Sequence, residues 1–211
     1  MKISVICASY LGDYPNAATN RDKKFVRAVN SFINQTYKGE KELIIVGDGC
    51  QQTKEIYEQN WKDNKEIILF SSPKQPMYAG GIRGIGMKIA TGDIITYLDN
   101  DDVLGKTHLE TIISQFTDEL DWCYYNDYLV LNKEFTKFQV RYVDPRWASI
   151  GHSSITHRNP KYCKKLTDLQ CFTGYGHDFL LVLELASKGT TYKKLKQTPQ
   201  YIVCHTGNSD F

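Results

Sequence analysis

Three carboxylates follow an apolar stretch near the middle of this sequence. Residues 94–98 are rich in β-branched and apolar side chains, which is typical of a strand buried on both faces, and Asp99, Asp101 and Asp102 come directly after them. Along an extended backbone the side chains of Asp99 and Asp101 point to the same side, so both can reach one ion. Carboxylate oxygens select hard cations such as Mg²⁺ or Mn²⁺, which usually bridge to substrate phosphates. The pattern predicts a divalent-cation site, and the alternative is a loop of solvated acids that caps the next helix.

The first half of the chain predicts a sheet that can hold these acids at its edge. Predicted strands alternate with predicted helices, the strands at residues 3–8, 43–46, 67–70 and 94–98 and the helices at 22–35, around Ile56 and at 80–90. This alternation is typical of βαβ units and a parallel sheet, in which ligands bind at the carboxyl ends of the strands. Polar residues follow three of those strands, namely Ser9 and Tyr10, Asp48, and Asp99 to Asp101. We therefore expect these side chains to converge on a nucleotide site.

After residue 105 the alternation changes. Strands are predicted at 122–131 and 135–143, and a helix at 177–187 follows a loop of glycines and aromatic residues at 172–176. No linker, repeat or low-complexity tract divides the chain, so we predict one domain, residues 1–211, in which the nucleotide-binding half at 1–104 and the later half at 105–211 are two lobes. The 14 tyrosines suit stacking on sugars or bases and equally suit ordinary packing.

Composition and charge place the chain among ordinary globular proteins. Hydrophobic residues make up 41% and charged residues 24% of its 211 residues, and the net charge of +2 offers no basic field for nucleic acid. The six cysteines show no CxxC pair and no metal-ligand spacing, which predicts buried, reduced thiols in a cytoplasmic protein. No apolar run approaches the length of a membrane span or a signal peptide.

Five segments carry a resemblance to a known family. They are residues 3–10, which end in a small hydroxyl residue and Tyr; 28–37, similar to an S-x-x-x-Q-T-Y helix end; 42–50, similar to E-L-I-I-V-D-D-G-S; 83–95, similar to R-N-x-G followed by A-x-G-E-Y-I; and 98–102, which match L-D-x-D-D. In this order and spacing they resemble the family-two glycosyltransferases of GT-A fold. The resemblance implies an α/β fold with a Rossmann-like, mostly parallel central sheet, helices on both faces and a smaller acceptor-side lobe. Gly47 and Cys50 depart from the pattern, because the family usually has Asp and Ser there.

The resemblance also implies a role for each matching residue. Ala8, Ser9 and Tyr10 would line the nucleotide pocket; Asp48 would accept a hydrogen bond from the imide N–H of uracil or thymine; Arg83 would reach the diphosphate or the neighbouring Asp; Asn100 would contact the donor; and Asp99 and Asp101 would hold the donor ribose and the Mn²⁺ or Mg²⁺ ion. His205 resembles a C-terminal histidine that completes the metal shell in some relatives, although a lone histidine is more often structural.

Asp178 is the candidate general base. It stands where the family usually has an acidic pair, and an inverting transfer needs an ionised carboxylate to take the proton of the acceptor hydroxyl. Its place at the start of a predicted helix favours the ionised form, because the helix dipole is positive there. The alternative is that Asp178 only caps this helix. His177 would either assist it or pack in the core.

These residues together predict a metal-dependent glycosyltransferase that moves a sugar from a nucleotide diphosphate, with UDP-sugar as the expected donor, to a hydroxyl of a glycan or other acceptor. One alternative is a phosphatase of the haloacid dehalogenase type, with Asp99 as nucleophile and Asp101 as acid. That motif usually lies near the N-terminus, whereas three nucleotide-type strands precede it here. A non-catalytic nucleotide-sugar-binding module is the other alternative.

Overall fold

The structure, a computed structural model, describes residues 1–76, 78–206 and 209–211. Its α-helices are α1 (Arg21–Ile33), α2 (Gln51–Asn60), α3 (Gly80–Ile89), α4 (His108–Ile113) and α5 (His177–Ser187), and short 3₁₀ helices lie at His152–Ser154 and Lys164–Leu166. Its strands are β1 (Ile3–Ser9), β2 (Lys41–Asp48), β3 (Ile67–Ser72), β4 (Ile94–Asp99), β5 (Val103–Leu104), β6 (Trp122–Tyr124), β7 (Asp127–Val130), β8 (Phe138–Arg141), β9 (Ile155–Arg158), β10 (Tyr192–Lys194), β11 (Tyr201–Val203), β12 (His205–Thr206) and β13 (Ser209–Asp210).

The central sheet has seven strands in the order β10-β6-β9-β4-β1-β2-β3. Strands β1 to β4 pair in parallel, and β9 runs antiparallel between β4 and β6. The register pairs Ala8 with Asp99 and Ser9 with Gly47, so the polar residues that follow these strands lie side by side. The mostly parallel central sheet predicted from the sequence is confirmed.

Helices cover both faces of this sheet. Val5 of β1 packs in one core cluster with Phe25 and Phe32 of α1, whereas Ile6 packs in another with Ile82 of α3 and Leu181 of α5. Neighbouring residues of a strand point to opposite faces, so β1 is apolar on both sides and each face needs its own helices. As a result, α3 and α5 lie on the same side of the sheet, where they meet near the candidate site.

The strand predicted at residues 122–131 is wrong, because the structure has two strands there. β6 belongs to the central sheet and β7 to a second sheet of order β5-β11-β7-β8. At the junction Tyr125 donates its N–H to the carbonyl of Ser154, and the side chain of Asn126 accepts the N–H of Val143. The buried carboxylate of Asp127 then pairs with Arg141 on β8. An apolar run gives no sign of this change of sheet, since the partners lie far along the chain.

Two properties predicted from composition concern the chain as a whole. No helix among the described residues is long and apolar enough to cross a membrane. The six cysteines form no disulfide bonds, and four of them, Cys7, Cys123, Cys163 and Cys204, are buried. Burial raises the pKa of the Cys123 thiol to about 12, so this side chain stays protonated at neutral pH.

Candidate active site

A cavity of about 880 Å³ opens at the carboxyl ends of β1, β2 and β4. All ten side chains predicted as site residues line it: Ala8, Ser9, Tyr10, Asp48, Arg83, Asp99, Asn100, Asp101, Asp178 and His205. Eight of them come from the ends of β1, β2 and β4, the residues directly after them and α3, whereas Asp178 comes from the first turn of α5 and His205 from β12. The predicted convergence is therefore confirmed, whereas the individual roles remain predictions.

Asp48 lies at the end of β2 with both carboxylate oxygens engaged. Its Oδ1 accepts the backbone N–H of Gln75 at 2.6 Å, and its Oδ2 accepts the ammonium of Lys74 at 2.5 Å. The same Lys74 ammonium lies 4.4 Å from the ring centroid of Tyr10. Since the Lys74 side chain is about half exposed, at 47%, it can leave Oδ2 without breaking any buried packing. A nucleobase that donates a hydrogen bond to Asp48 and stacks on Tyr10 would take the position of the Lys74 ammonium.

Arg83 connects the strand ends with the start of α5. Its buried guanidinium pairs through Nη2 with Asp99, lies 2.8 Å through Nη1 from Nε2 of His177, and lies 3.8 Å from Oδ1 of Asp178. Burial opposes the charge of Arg83, but the carboxylates of Asp99 and Asp178 outweigh it and raise its pKa. Arg83 thus stays charged, and it contacts the neighbouring Asp, which is one of the two partners that the resemblance implies.

The close approach of α3 to α5 depends on Gly80. A Cβ atom at this position would lie 1.8 Å from the carbonyl oxygen of Phe172 and 2.9 Å from Cβ of His177. Any side chain there would push the two segments apart and carry Arg83 away from His177. Gly80 is therefore a packing glycine that sets the position of Arg83.

His177 is held as a neutral imidazole beside Arg83. Its Nδ1 lies 3.1 Å from the carbonyl of Gly174, to which it donates, so Nε2 is the unprotonated nitrogen that accepts from Arg83. Burial lowers the pKa of His177, and the positive charge of Arg83 lowers it further. Both ring nitrogens are thus occupied, and His177 fixes the geometry of Arg83.

The Asp178 carboxylate is held through one oxygen. Oδ1 accepts the backbone N–H of His152 at 2.9 Å and the Nδ1–H of the His152 ring, while Oδ2 makes no hydrogen bond with the part of the chain that the structure describes. Burial would raise the pKa of Asp178, but the bond from His152 and the charge of Arg83 outweigh it and hold the pKa well below its usual range. Asp178 is therefore ionised at neutral pH, and its second oxygen is available to the cavity.

His152 is the functional residue that the sequence does not reveal. It is buried, burial lowers its pKa to about 4, and its Nε2 has no hydrogen-bond partner among the described residues. An ionised carboxylate can only accept, so the neutral ring must carry its proton on Nδ1. No motif or spacing in the sequence marks His152, which lies 26 residues before Asp178.

Asp99 and Asp101, the predicted holders of a divalent cation, lie at and directly after the end of β4. Burial raises the pKa of Asp101, and the neighbouring carboxylate of Asp99 raises it further. A divalent cation between two carboxylates would relieve this repulsion, and oxygen donors suit Mg²⁺ or Mn²⁺. Both ring nitrogens of His205 already have partners: Nδ1 lies 3.2 Å from Asp210, and Nε2 lies 3.1 Å from the carbonyl of Asn16. To bind a cation together with Asp99 and Asp101, as predicted, His205 would have to give up one of these partners.

A second cluster of metal-ligand type is less suitable for a cation. Within the described ranges, the ligand atoms of His152, His177 and Asp178 are the group of three that lies within 4.8 Å of one another. The guanidinium of Arg83 already lies against two of these residues, and His152 donates two N–H groups to Asp178. The buried arginine therefore supplies the positive charge that a metal ion would supply here.

Asp102, the third acid of the motif, is structural. Its buried carboxylate accepts the hydroxyl of Tyr201 at 2.9 Å and the backbone N–H of Cys204 at 2.8 Å. The Tyr201 hydroxyl in turn accepts the N–H of Asp99 at 3.0 Å. Burial, together with the charges of Asp101 and Asp99, raises the pKa of Asp102. Asp102 and Tyr201 thus fix the acidic loop against β11, and the sequence offers no signal for the role of Tyr201.

Residues 17–180 match the family described as Glycosyl transferase family 2. The chain is 25% identical over 127 residues to a glucosyl-dolichyl phosphate glucuronosyltransferase of Haloferax volcanii, covering 57% of this chain and 36% of that protein. It is 25% identical over 114 residues to a GalNAc(5)-diNAcBac-PP-undecaprenol beta-1,3-glucosyltransferase of Campylobacter jejuni, covering 54% and 34%. The matches thus span about a third of the length of these relatives.

Solved structures of TarS from S. aureus share the fold. The crystal structure of TarS 1-349 has a TM-score of 0.71 and 18% identity, and the match covers 96% of this chain and 60% of that one. The structure of TarS 1-349 in complex with UDP-GlcNAc has a TM-score of 0.69 and also 18% identity, and the match covers 100% and 62%. This likeness confirms the predicted GT-A architecture.

Proposed function

Because the chain belongs to glycosyl transferase family 2, we propose that it transfers a sugar from a nucleoside-diphosphate donor to a hydroxyl group of an acceptor. The observation that carries this proposal is that Arg83 lies between two carboxylates, one on the donor side of the cavity and one at the start of α5. Asp99 lies among the acids on the donor side, and Asp178 lies at the start of α5 with one oxygen free. A donor phosphate and an acceptor hydroxyl therefore have separate, adjacent places in one cavity.

We propose UDP-sugar as the donor. Asp48 can accept the imide N–H of uracil, and Tyr10 offers a ring on which the base can stack. Crystal structures of the fold relative TarS include complexes with UDP and with UDP-GlcNAc. Cytosine lacks the imide donor, so a site that depends on Asp48 prefers UDP over CDP.

Asp99 and Asp101 are the residues that would hold Mg²⁺ or Mn²⁺. Bound there, the cation supplies positive charge against the diphosphate leaving group. Asp102 is bonded to Tyr201 and Cys204 and keeps the loop in place. The role therefore falls to Asp101 and to Asp99, which keeps its pairing with Arg83 through Oδ1.

Asp178 is the proposed base of an inverting transfer. Its Oδ2 takes the proton of the acceptor hydroxyl, the hydroxyl oxygen forms a bond to C1 of the donor sugar, and the bond from C1 to the phosphate oxygen breaks with its electron pair on the diphosphate. His152 holds Oδ1, so the free oxygen keeps one direction during this step. The contact with Asp99 holds the guanidinium of Arg83 on the donor side of the cavity, so its positive charge lies near the leaving diphosphate.

The phosphatase alternative loses its support in this geometry. A nucleophilic Asp99 would need a free carboxylate, whereas Asp99 is paired with the buried Arg83. The membership in glycosyl transferase family 2 also speaks against it. A non-catalytic binding module stays as the alternative that an activity measurement decides.

The test is turnover of nucleotide sugars by the purified chain with Mn²⁺, compared with the variant Asp178→Asn. This nearly isosteric change removes the base, so transfer should fall by about 10²–10⁴-fold while UDP affinity stays within a few-fold of the wild type. Asp118→Asn, which alters a fully exposed carboxylate, is the matched control and should behave as the wild type. Normal transfer by Asp178→Asn would remove Asp178 from catalysis, product with retained anomeric configuration would exclude inversion, and UDP binding without any turnover would favour the binding module.

A further inference from the structure

Four aromatic side chains form a row that starts at the rim of the cavity. They are Tyr78, Tyr175, Trp147 and Phe179, and we name them the aromatic platform. The ring centroids of successive members lie 6.0, 5.8 and 5.9 Å apart. Tyr78 lines the cavity, and its ring centroid lies 6.2 Å from that of His177. The platform therefore continues the candidate active site on the side of α5, where Asp178 lies.

The platform is unusually exposed for its composition. Tyr175 is 73% exposed, Trp147 is 51% exposed and Tyr78 is 46% exposed. By contrast, Trp61 and Trp122 are buried at 5% and 1%. Exposed aromatic side chains that cluster beside a cavity mark a place where a partner or ligand covers them.

The backbone is built to present Tyr175 in this way. Gly174 has φ of +88° and Gly176 has φ of +82°, left-handed conformations that glycine adopts far more readily than other residues. A Cβ at Gly176 would lie 2.3 Å from the ring of Trp147, so the indole packs directly on this glycine. The two glycines turn Tyr175 outward and let Trp147 lie against the turn that leads into Asp178.

The shape of the platform suits a sugar ring better than an alkyl chain. Successive rings are inclined by 66°, 69° and 89°, so each face is a separate surface about the size of one pyranose. A sugar ring has an apolar C–H face that stacks on an aromatic ring and a rim of hydroxyls that stays in water. An alkyl chain would need a continuous groove. Arg146, which precedes Trp147 in the chain, lies 3.4 Å from the carboxylate of Asp144, so this pair carries both signs and does not select an anionic ligand.

We propose that Tyr175 and Trp147 form a subsite for a sugar ring of the acceptor, and that the acceptor is therefore a carbohydrate. This inference rests on the proposed transfer to a hydroxyl at Asp178. The acceptor hydroxyl reaches Oδ2 of Asp178 from a ring that stacks on the platform, and Tyr78 closes the row at the cavity rim. The donor nucleotide lies at the other strand ends, around Asp48 and Tyr10, so it does not compete for these rings.

Trp147 provides its own reporter, because the other two tryptophans are buried. The experiment measures acrylamide quenching of tryptophan fluorescence in the presence of UDP and Mn²⁺, with methyl hexosides and methyl N-acetylhexosaminides as carbohydrate probes and decyl phosphate as the alkyl probe. We expect at least one glycoside to protect Trp147 from acrylamide. Tyr175→Ala should weaken that protection by roughly 3- to 10-fold, the size of one lost stacking contact. Tyr162→Ala, which alters a tyrosine that is 55% exposed and lies outside the platform, is the control and should bind as the wild type.

Failure of this inference differs from failure of the proposed function. If UDP binds and donor sugars turn over but no glycoside protects Trp147, the platform is not a sugar subsite. Protection by decyl phosphate alone would assign the platform to an alkyl chain and would also overturn the inference. Loss of UDP affinity in Tyr175→Ala would place Tyr175 on the donor side instead. By contrast, the absence of both UDP binding and turnover in the wild-type chain would contradict the proposed function itself.

Discussion

Replacing His152 by alanine should move the acid limb of the pH–activity profile to higher pH. In the wild type, Oδ1 of Asp178 accepts two N–H groups of His152, one from the backbone at 2.9 Å and one from the ring. The alanine variant keeps the first and loses the second. A hydrogen bond to an ionised group contributes about 1.5–3 kcal/mol. Since one pKa unit corresponds to about 1.36 kcal/mol, the pKa of Asp178 should rise by about 1–2 units.

The acid limb should move to higher pH because Asp178 can act as a base only in its ionised state. Asp178 takes a proton only when it is ionised, and the bond from His152 favours that state, so the wild type stays active to lower pH. Without the imidazole donor, Asp178 is protonated at a higher pH and activity falls earlier as the pH decreases. Well above the new pKa the variant should regain activity, reduced by whatever orientation the second hydrogen bond gave to Oδ2.

The assay is kcat/KM for transfer as a function of pH, with UDP affinity measured on the same samples. His152→Asn is the matched control, because its side-chain N–H can take the place of Nδ1–H and should restore the wild-type acid limb. A common loss of packing would appear in both variants as a lower Tm, since the His152 ring lies 4.9 Å from that of Tyr97. An unchanged acid limb in His152→Ala, or equal impairment of both variants without a pH shift, would refute the role of His152.

Three further predictions concern the donor side. Asp101→Asn should abolish Mn²⁺-dependent turnover and raise the concentration of Mn²⁺ needed for UDP binding. The fold should stay intact, because the variant removes a carboxylate whose charge is already disfavoured by Asp99. Calorimetry of UDP binding with Mn²⁺ measures this. Asp48→Asn should bring UDP and CDP affinities close together, whereas the wild type should prefer UDP, and equal affinities in the wild type would remove Asp48 from base recognition. Tyr201→Phe should lower the free energy of unfolding by about 1–3 kcal/mol, since the hydroxyl bonded to Asp102 and to the N–H of Asp99 is lost. Urea denaturation measures this change, and an unchanged midpoint would contradict the structural role of Tyr201 and Asp102.

The parts of the fold that the sequence predicts are those set by local pattern. The first strands and the residues that follow them depend on short apolar runs and turn residues, so the sequence alone predicts that Asp48 and Asp99 lie at the same edge of the sheet. For these strands the informative residues lie within about one element of one another, where hydrophobic periodicity is a strong signal. Asp178 is predicted differently, from its match to the position where the resembling family usually has an acidic pair.

The features of the fold and the site that the sequence does not predict depend on contacts between residues far apart in the chain. Asp127 pairs with Arg141 in a second sheet, which divides an apolar run that reads as one strand. His152 reaches Asp178 only because α5 packs beside the short helix that contains it, and Asp102 is distinguished from Asp101 only by the hydroxyl of Tyr201. No propensity or spacing reports such pairs. Their roles follow from burial and from which hydrogen-bond partners remain free.

The bond between Tyr201 and the acidic loop has a consequence for the time at which the site forms. The hydroxyl of Tyr201 holds the N–H of Asp99, which lies 102 residues earlier in the chain. During synthesis the parallel strands of the first half leave the ribosome long before this tyrosine does. The loop that bears Asp99 and Asp101 therefore lacks its final support until β11 has been made and has docked. Closing so long a loop is slow relative to local folding, so competence to bind a donor should be among the last properties that a newly made chain acquires.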